Sequence, residues 1–166
     1  MTIAQLLRSI GVSLAVLALA SCGFQLRGQY TMPFASVFVS TTGASVVGAA
    51  LKRELTNSPS KLMPSAKDAE ALLNILEDRR DRQILSLSGA GRVREYELKL
   101  RVRYQLADTK GGIYIPTSEI QLSRILSYDD SLIIAKQQEE ALLYQDMERD
   151  AVAQIMRRMA AIKRPV

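Results

Sequence analysis

The clearest pattern in the chain is a strict period-two alternation. Tyr96, Leu98, Leu100, Val102, Tyr104 and Leu106 alternate with Glu95, Glu97, Lys99, Arg101, Arg103 and Gln105. Such alternation predicts a strand with one wet face and one face that another layer must cover. At ~1.5–3 kcal/mol per side chain, burying its apolar residues contributes on the order of 10 kcal/mol. Residues 108–112 read as a turn. Residues 113–128 read as a partner strand, with Ile120, Leu122, Leu126 and Tyr128 in phase. Arg124 interrupts that apolar row, and Pro116 predicts an edge or a bulge early in the strand.

Residues 34–40 (FASVFVS) are β-branched and aromatic and predict a strand, which Thr41-Thr42-Gly43 breaks. Ser45 or a neighbouring Thr is placed to cap a helix running to about residue 56, with Val47, Leu51 and Leu55 on one stripe. Residues 57–67 hold Pro59, Pro64 and several serines and read as a loop. Residues 69–76 predict a strand with Ala71, Leu73 and Ile75 on one face. The charged residues 78–82 and then residues 84–87 follow, as one long strand with a bulge or as two short ones. Ser88-Gly89-Ala90-Gly91 is a turn. From about residue 132 to 162 no Gly or Pro occurs, and Tyr144, Met147, Ala151, Ile155, Met159 and Ile162 recur at helical spacing. That stripe reads as core packing, and Pro165 lies past its end.

The element order is β-α-β-β-β-α, and each helix and the sheet carry one apolar face. The expected fold is therefore α+β: a two-layer sandwich with two helices on one face of a four-stranded, mixed, mostly antiparallel sheet.

The N-terminus reads as an export signal. Arg8 precedes an apolar run over residues 10–20, which is long enough for a signal core and short of the ~20 residues that span a bilayer. Leu19-Ala20-Ser21-Cys22 resembles the lipobox of bacterial lipoproteins, and Cys22 is the sole cysteine. The resemblance implies cleavage before Cys22 and acylation of its thiol; each buried CH₂ contributes ~0.8 kcal/mol, and two or three chains hold firmly. Gly23 is not the Asp that retains many lipoproteins in the inner membrane, so the expected address is the periplasmic side of the outer membrane. Expected boundaries are a signal peptide at 1–21, a lipidated tether at 22–33 and one domain at 34–166.

Removing residues 1–21 leaves 145 residues with 21 Lys+Arg against 17 Asp+Glu, a mild basicity that suits an anionic partner. There is no histidine. That removes the usual general base near neutral pH, the common metal ligand and every Ser-His or Cys-His arrangement. No GxxxxGK[ST] phosphate loop occurs. The pairs Asp129-Asp130 and Glu139-Glu140 read as solvated carboxylates. The expectation is a protein that is no enzyme, holds no cofactor or metal, and binds no nucleic acid.

Several segments together resemble the LptE family of lipopolysaccharide-assembly lipoproteins of the Gram-negative outer membrane. They are Cys22-Gly23-Phe24-Gln25-Leu26-Arg27-Gly28, Arg94-Glu95-Tyr96-Glu97-Leu98, Ala135-Lys136-Gln137-Gln138-Glu139, Asp146-Met147 and Ala153-Gln154-Ile155-Met156-Arg157-Arg158. Their order and spacing run through almost the whole chain after the lipobox. The resemblance implies the two-helix, four-stranded sandwich, a role as plug and assembly factor of the LptD barrel, and lipopolysaccharide binding. It also implies lipid A contacts at Lys136, in the Ala-Lys motif, and at a basic residue before the Glu-Tyr strand, Arg92 or Arg94. Lysine and arginine recognise phosphates by charge-assisted hydrogen bonds. Arg101 and Arg103, on the polar strand face, meet either solvent or a barrel lumen. The alternative is a free-standing lipoprotein on the periplasmic face that binds an apolar ligand or scaffolds the envelope.

Overall fold

The computed structural model of the chain describes residues 31–163. The signal segment, Cys22 and the motif that follows it, and Pro165 lie outside the described residues. The elements are β1 (Ser36–Thr41), α1 (Val46–Thr56), β2 (Lys61–Leu62), β3 (Ala71–Leu87), β4 (Val93–Asp108), β5 (Ile113–Ser127) and α2 (Ile133–Ala160). They form one sheet in the order β2-β1-β3-β4-β5, with both helices against it. β1 runs parallel to β2 and β3, whereas β3–β4 and β4–β5 are antiparallel.

The alternating strand is β4, and its apolar row is the floor of the core. Leu98, Leu100, Val102, Tyr104 and Leu106 are all fully buried. Met147, Ala151, Ile155 and Met159 of α2 and Val47, Leu51 and Leu55 of α1 cover that floor, all at 0 % exposure. Ile162 is partly buried against the same cluster, as is Tyr96. The phenol of Tyr104 would be costly to bury alone. Its oxygen accepts from Arg158 Nη1 at 3.0 Å. Met32 and Phe34, ahead of β1, are buried with the core, and Phe34 packs on Tyr114 with ring centroids 5.0 Å apart.

α1 begins where the cap chemistry places it. Ser45 is extended, and its Oγ accepts from the Gly48 amide at 2.8 Å. Asp78 reaches across from β3, where its Oδ2 accepts from Ser45 Oγ at 2.7 Å and from the Val47 amide at 3.0 Å. Gly48 is required here, because a Cβ would run into the Thr41 methyl of β1.

The sheet has five strands rather than the expected four. The added strand, β2, lies inside residues 57–67, which read as a loop. Lys61 N donates to Ala35 O at 2.9 Å, and Met63 N to Val37 O at 2.9 Å. Two residues are too few to carry a period, so the pairing leaves no pattern in the sequence. The charged residues 78–82 belong to one continuous β3, with a bulge between Ile75 and Glu77. Pro116 sits on the edge strand β5, beside an irregularity where β4 shifts register between Tyr104 and Leu106.

The bulge has a large consequence. β1 pairs only with Ala71 to Ile75, so the rest of β3 has β4 on one side and no strand on the other among the described residues. Beyond the bulge, Asp78, Arg80 and Arg82 lie opposite Val102, Leu100 and Leu98, on the helix side of the sheet.

Asp78 thus serves β3 and the α1 start together. We expect Asp78→Ala to cost about 1–2 kcal/mol, the usual loss for an N-terminal cap acceptor. Urea unfolding monitored by circular dichroism checks this; an unchanged midpoint would remove Asp78 from the cap.

Candidate functional site

Both ends of the open part of the sheet are defined by turns. The β3–β4 hairpin closes through Ser88 N to Arg92 O at 2.7 Å and Gly91 N to Ser88 O at 2.9 Å. Gly91 takes φ +74, which side chains disfavour. Arg92 and Arg94 leave this tip exposed, and neither guanidinium has a hydrogen bond or ion pair among the described residues.

Lys136 arrives at the same end from α2. Its Nζ donates to Ser127 Oγ at 3.0 Å and to Glu139 Oε2 at 2.8 Å, and its side chain is 15 % exposed. Ser127 lies opposite Glu95 in the β4–β5 ladder, and the Tyr128 amide donates to Arg94 O at 2.7 Å. The fold therefore gathers Lys136, Arg94 and Arg92 at one end of the sheet. Lys136 is held by its neighbours; Arg92 and Arg94 are free.

Apolar side chains are exposed at the same end of the sheet. Among the described residues, seven of the eleven exposed large hydrophobics are here: Ile84, Leu85 and Leu87 before the tip, Ile125 on β5, and Leu132, Ile133 and Ile134 at the α2 start. Ile134 alone is 74 % exposed. A concentration of this kind marks a surface that meets a partner or lipid. α2 is entered through a 3₁₀ turn, Asp130–Leu132, with Asp129 as its cap and Asp130 inside it, so the carboxylates of the helical start stand one turn ahead of Ile133.

The sequence did not point to the apolar cluster, and it did not point to the clamp that holds α2 over it. Arg80 Nη2 pairs with Glu148, and its guanidinium lies 5.0 Å from the Tyr144 ring centre. Arg82 Nη1 pairs with Glu140 at 2.9 Å and stacks 4.7 Å over Tyr96. On the other flank, Arg124 Nη2 meets Asp146 at 3.0 Å and Asp150 at 2.7 Å. So Arg124, the break in the apolar row, is an anchor for α2. Hydrogen bonding to Glu140 first, then its charge, raises the Arg82 pKa; the Asp146 bond comes first in raising that of Arg124. The signal was present as Glu140, Tyr144 and Glu148 at spacings of four, facing alternate β3 arginines.

Three of the four paired carboxylates, Asp129, Glu139 and Glu140, are engaged. Asp129 caps the turn before α2, accepting from Ser131 N at 2.9 Å and Ser131 Oγ at 2.7 Å. Those bonds, with a smaller contribution from Lys136, hold its carboxyl below the usual range. Glu139 and Glu140 serve Lys136 and Arg82. Arg101 and Arg103 lie on the outer sheet face against Glu119 at 3.7 Å and Glu77 at 3.5 Å.

The family model described as LptE, lipopolysaccharide-assembly, matches residues 34–159. The chain belongs to the LptE family. Two similar relatives named LPS-assembly lipoprotein LptE are those of Photorhabdus laumondii, 23 % identical over 91 % of this chain and 84 % of its own, and of Pectobacterium atrosepticum, 27 % identical over 91 % and 83 %. The solution structure of uncharacterized lipoprotein B from Nitrosomonas europaea is similar, with a TM-score of 0.73, 40 % identity, and coverage of 84 % of this chain and 91 % of that one. So is the crystal structure of rare lipoprotein B from Shewanella oneidensis, with a TM-score of 0.62, 28 % identity, and coverage of 76 % and 94 %. The LptE match spans every strand and nearly all of α2, so the sheet end and its clamp both lie inside it.

The two clamp pairs on β3 differ in burial. Glu148 has a side chain only 9 % exposed, whereas Glu140 is at 23 % and Arg82 at 48 %. We expect a double-mutant cycle to give Arg82–Glu140 the ~0.2–1 kcal/mol of a surface pair. Arg80–Glu148 should exceed it, because truncating Arg80 leaves a nearly buried carboxylate unpaired. Equal coupling energies from chemical unfolding would contradict this reading of the clamp.

Proposed function

We propose that this chain is a lipopolysaccharide-assembly lipoprotein. In this reading Cys22 carries the lipid that holds the domain to the periplasmic side of the outer membrane. The signal peptide is residues 1–21 and the tether residues 22–33, with the domain at 34–166. The domain plugs and helps assemble an LptD-type β-barrel and binds lipopolysaccharide in transit. It does so without catalysis: the chain has no histidine, and Asp129, Glu139 and Glu140 are committed to a cap and ion pairs.

The observation that carries the reading is the sheet end. Lipid A offers phosphates on an acylated sugar, and that chemistry needs cations beside apolar surface. Among the described residues Arg92 and Arg94 are unpaired, Lys136 reaches the same end from the first turn of α2, and seven exposed apolar side chains lie at that end of the sheet. The LptE family match supports the same conclusion.

Lys136→Asp is expected to weaken lipopolysaccharide binding by about tenfold or more, the equivalent of one charge-assisted hydrogen bond. Far-UV circular dichroism should be unchanged. Unaltered affinity would take Lys136 out of the site; the same titration with Arg92→Glu and Arg94→Glu assigns the tip. For the barrel partner, an outer-membrane pull-down in mild detergent should recover a large β-barrel at near-equal stoichiometry. Its absence would instead favour a free-standing lipoprotein.

A further inference from the structure

The apolar rows of β4 and β5 run through leucines and end, toward the hairpin tip, in tyrosines. Tyr96 stands beyond Leu98, and Tyr128 stands beyond Leu126, which pairs with Tyr96 in the ladder. The two rings meet edge-on, with centroids 5.1 Å apart. Tyr96 is partly buried against the core, and Tyr128 is half-buried.

Their hydroxyls set them apart from two other tyrosines. Tyr104 Oη accepts from Arg158, and Tyr144 Oη donates to the Asp81 carbonyl, so both are spent inside the domain. Neither Tyr96 nor Tyr128 has a hydroxyl hydrogen bond among the described residues. No buried side-chain oxygen or nitrogen there lacks a partner, so both hydroxyls reach solvent. Each ring is thus an apolar plate with its polar tip in water.

The pair is also held in place. Arg82 lies 4.7 Å over Tyr96 and is itself fixed by Glu140 at 2.9 Å. The Tyr128 amide donates to Arg94 O at 2.7 Å. Rings set before a ligand arrives lose little side-chain freedom on binding. The cations of the site are their neighbours. Arg94 lies across the ladder from Tyr128, and Ser127, just before it, accepts from Lys136 Nζ at 3.0 Å.

A phosphate needs only the cations, and acyl chains need only apolar side chains such as Ile133 and Ile134. Flat amphipathic rings add a fit to a sugar, which presents a C–H face to the aromatic plane and hydroxyls around its rim. We propose that Tyr96 and Tyr128 form the sugar subsite of this surface, with Tyr128 stacking on the sugar ring that carries the phosphate. The subsite selects a phosphorylated glycolipid over a sugar-free phospholipid. It rests on the lipopolysaccharide reading above and assigns the part of that ligand that neither charge nor apolar surface recognises.

The test is titration of the full chain, in mild detergent, with lipopolysaccharide and with phosphatidic acid, which carries phosphate and acyl chains but no sugar. Tyr128→Leu is expected to lower lipopolysaccharide affinity by about tenfold, and phosphatidic acid affinity by no more than about twofold. Tyr128→Phe keeps the ring and should hold lipopolysaccharide affinity within about threefold of wild type. Arg94→Glu should weaken both ligands, because each brings a phosphate. In the wild type, the ring NMR signals of Tyr128 should shift with lipopolysaccharide and not with phosphatidic acid, a readout that needs no variant to fold. Unchanged lipopolysaccharide affinity in Tyr128→Leu overturns the proposal. So does an equal loss on both ligands, or a Tyr128→Phe that falls as far as Tyr128→Leu. A wild type that binds no lipopolysaccharide fails earlier, and removes the ligand reading together with the subsite.

Discussion

The β4 row of Leu98, Leu100, Val102, Tyr104 and Leu106 is apolar on one side of a strand whose other side is charged. A strand of this kind has one place to go: the middle of a sheet, with its apolar face under a second layer. β4 does sit between β3 and β5, and α2 crosses above it. Burial of that row, on the order of 10 kcal/mol, exceeds any single cap or ion pair in the domain by several-fold. The helices therefore follow from the strand. α2 offers methionines and small residues to fill the cover, and α1 sits against β1 where Gly48 leaves room for the Thr41 methyl.

The cover is shorter than the sheet. β3 runs on past β1, and its bulge turns charged rather than apolar residues toward the helices. Over this stretch α2 is held by arginines: Arg80 and Arg82 from β3, Arg124 from β5. Their guanidiniums lie against Tyr144 and Tyr96, so the clamp keeps some apolar contact while its charges stay near water. Hydrophobic cohesion gives way to polar clamping over this stretch, and Ile84, Leu87 and Ile134 beyond it stay exposed.

Much of this was legible from local pattern. The period of β4, the Ser45 cap and the α2 stripe each encode their structure within a few residues. What was hidden depends on register. Arg124 looked like a flaw in an apolar row because its partners Asp146 and Asp150 lie on a different element. β2 is a two-residue pairing set by what β1 leaves open, so no local signal exists. Family resemblance points to Lys136 and Arg94 through separate motifs. Their shared end comes from Ser127 pairing with Glu95 and binding Lys136, a relation that only the folded ladder creates. Cys22 lies outside the described residues and rests on the sequence alone.

The electrostatics of that end argue for what it meets. A helix start ordinarily gathers carboxylates, which its dipole stabilises by about 0.3–1 kcal/mol each. At α2 they stand in the 3₁₀ turn that leads into the helix, with Asp129 as its cap and Asp130 inside it, and Lys136 follows one turn later. Asp129 and Glu139 supply counter-charge, but both are engaged, by Ser131 and by Lys136 itself. Arg92 and Arg94 add positive charge with no counter-ion among the described residues. Exposed cations here stand at the same end of the sheet as the exposed Ile133 and Ile134, and charge together with apolar surface is the combination that the proposed anionic amphiphile requires.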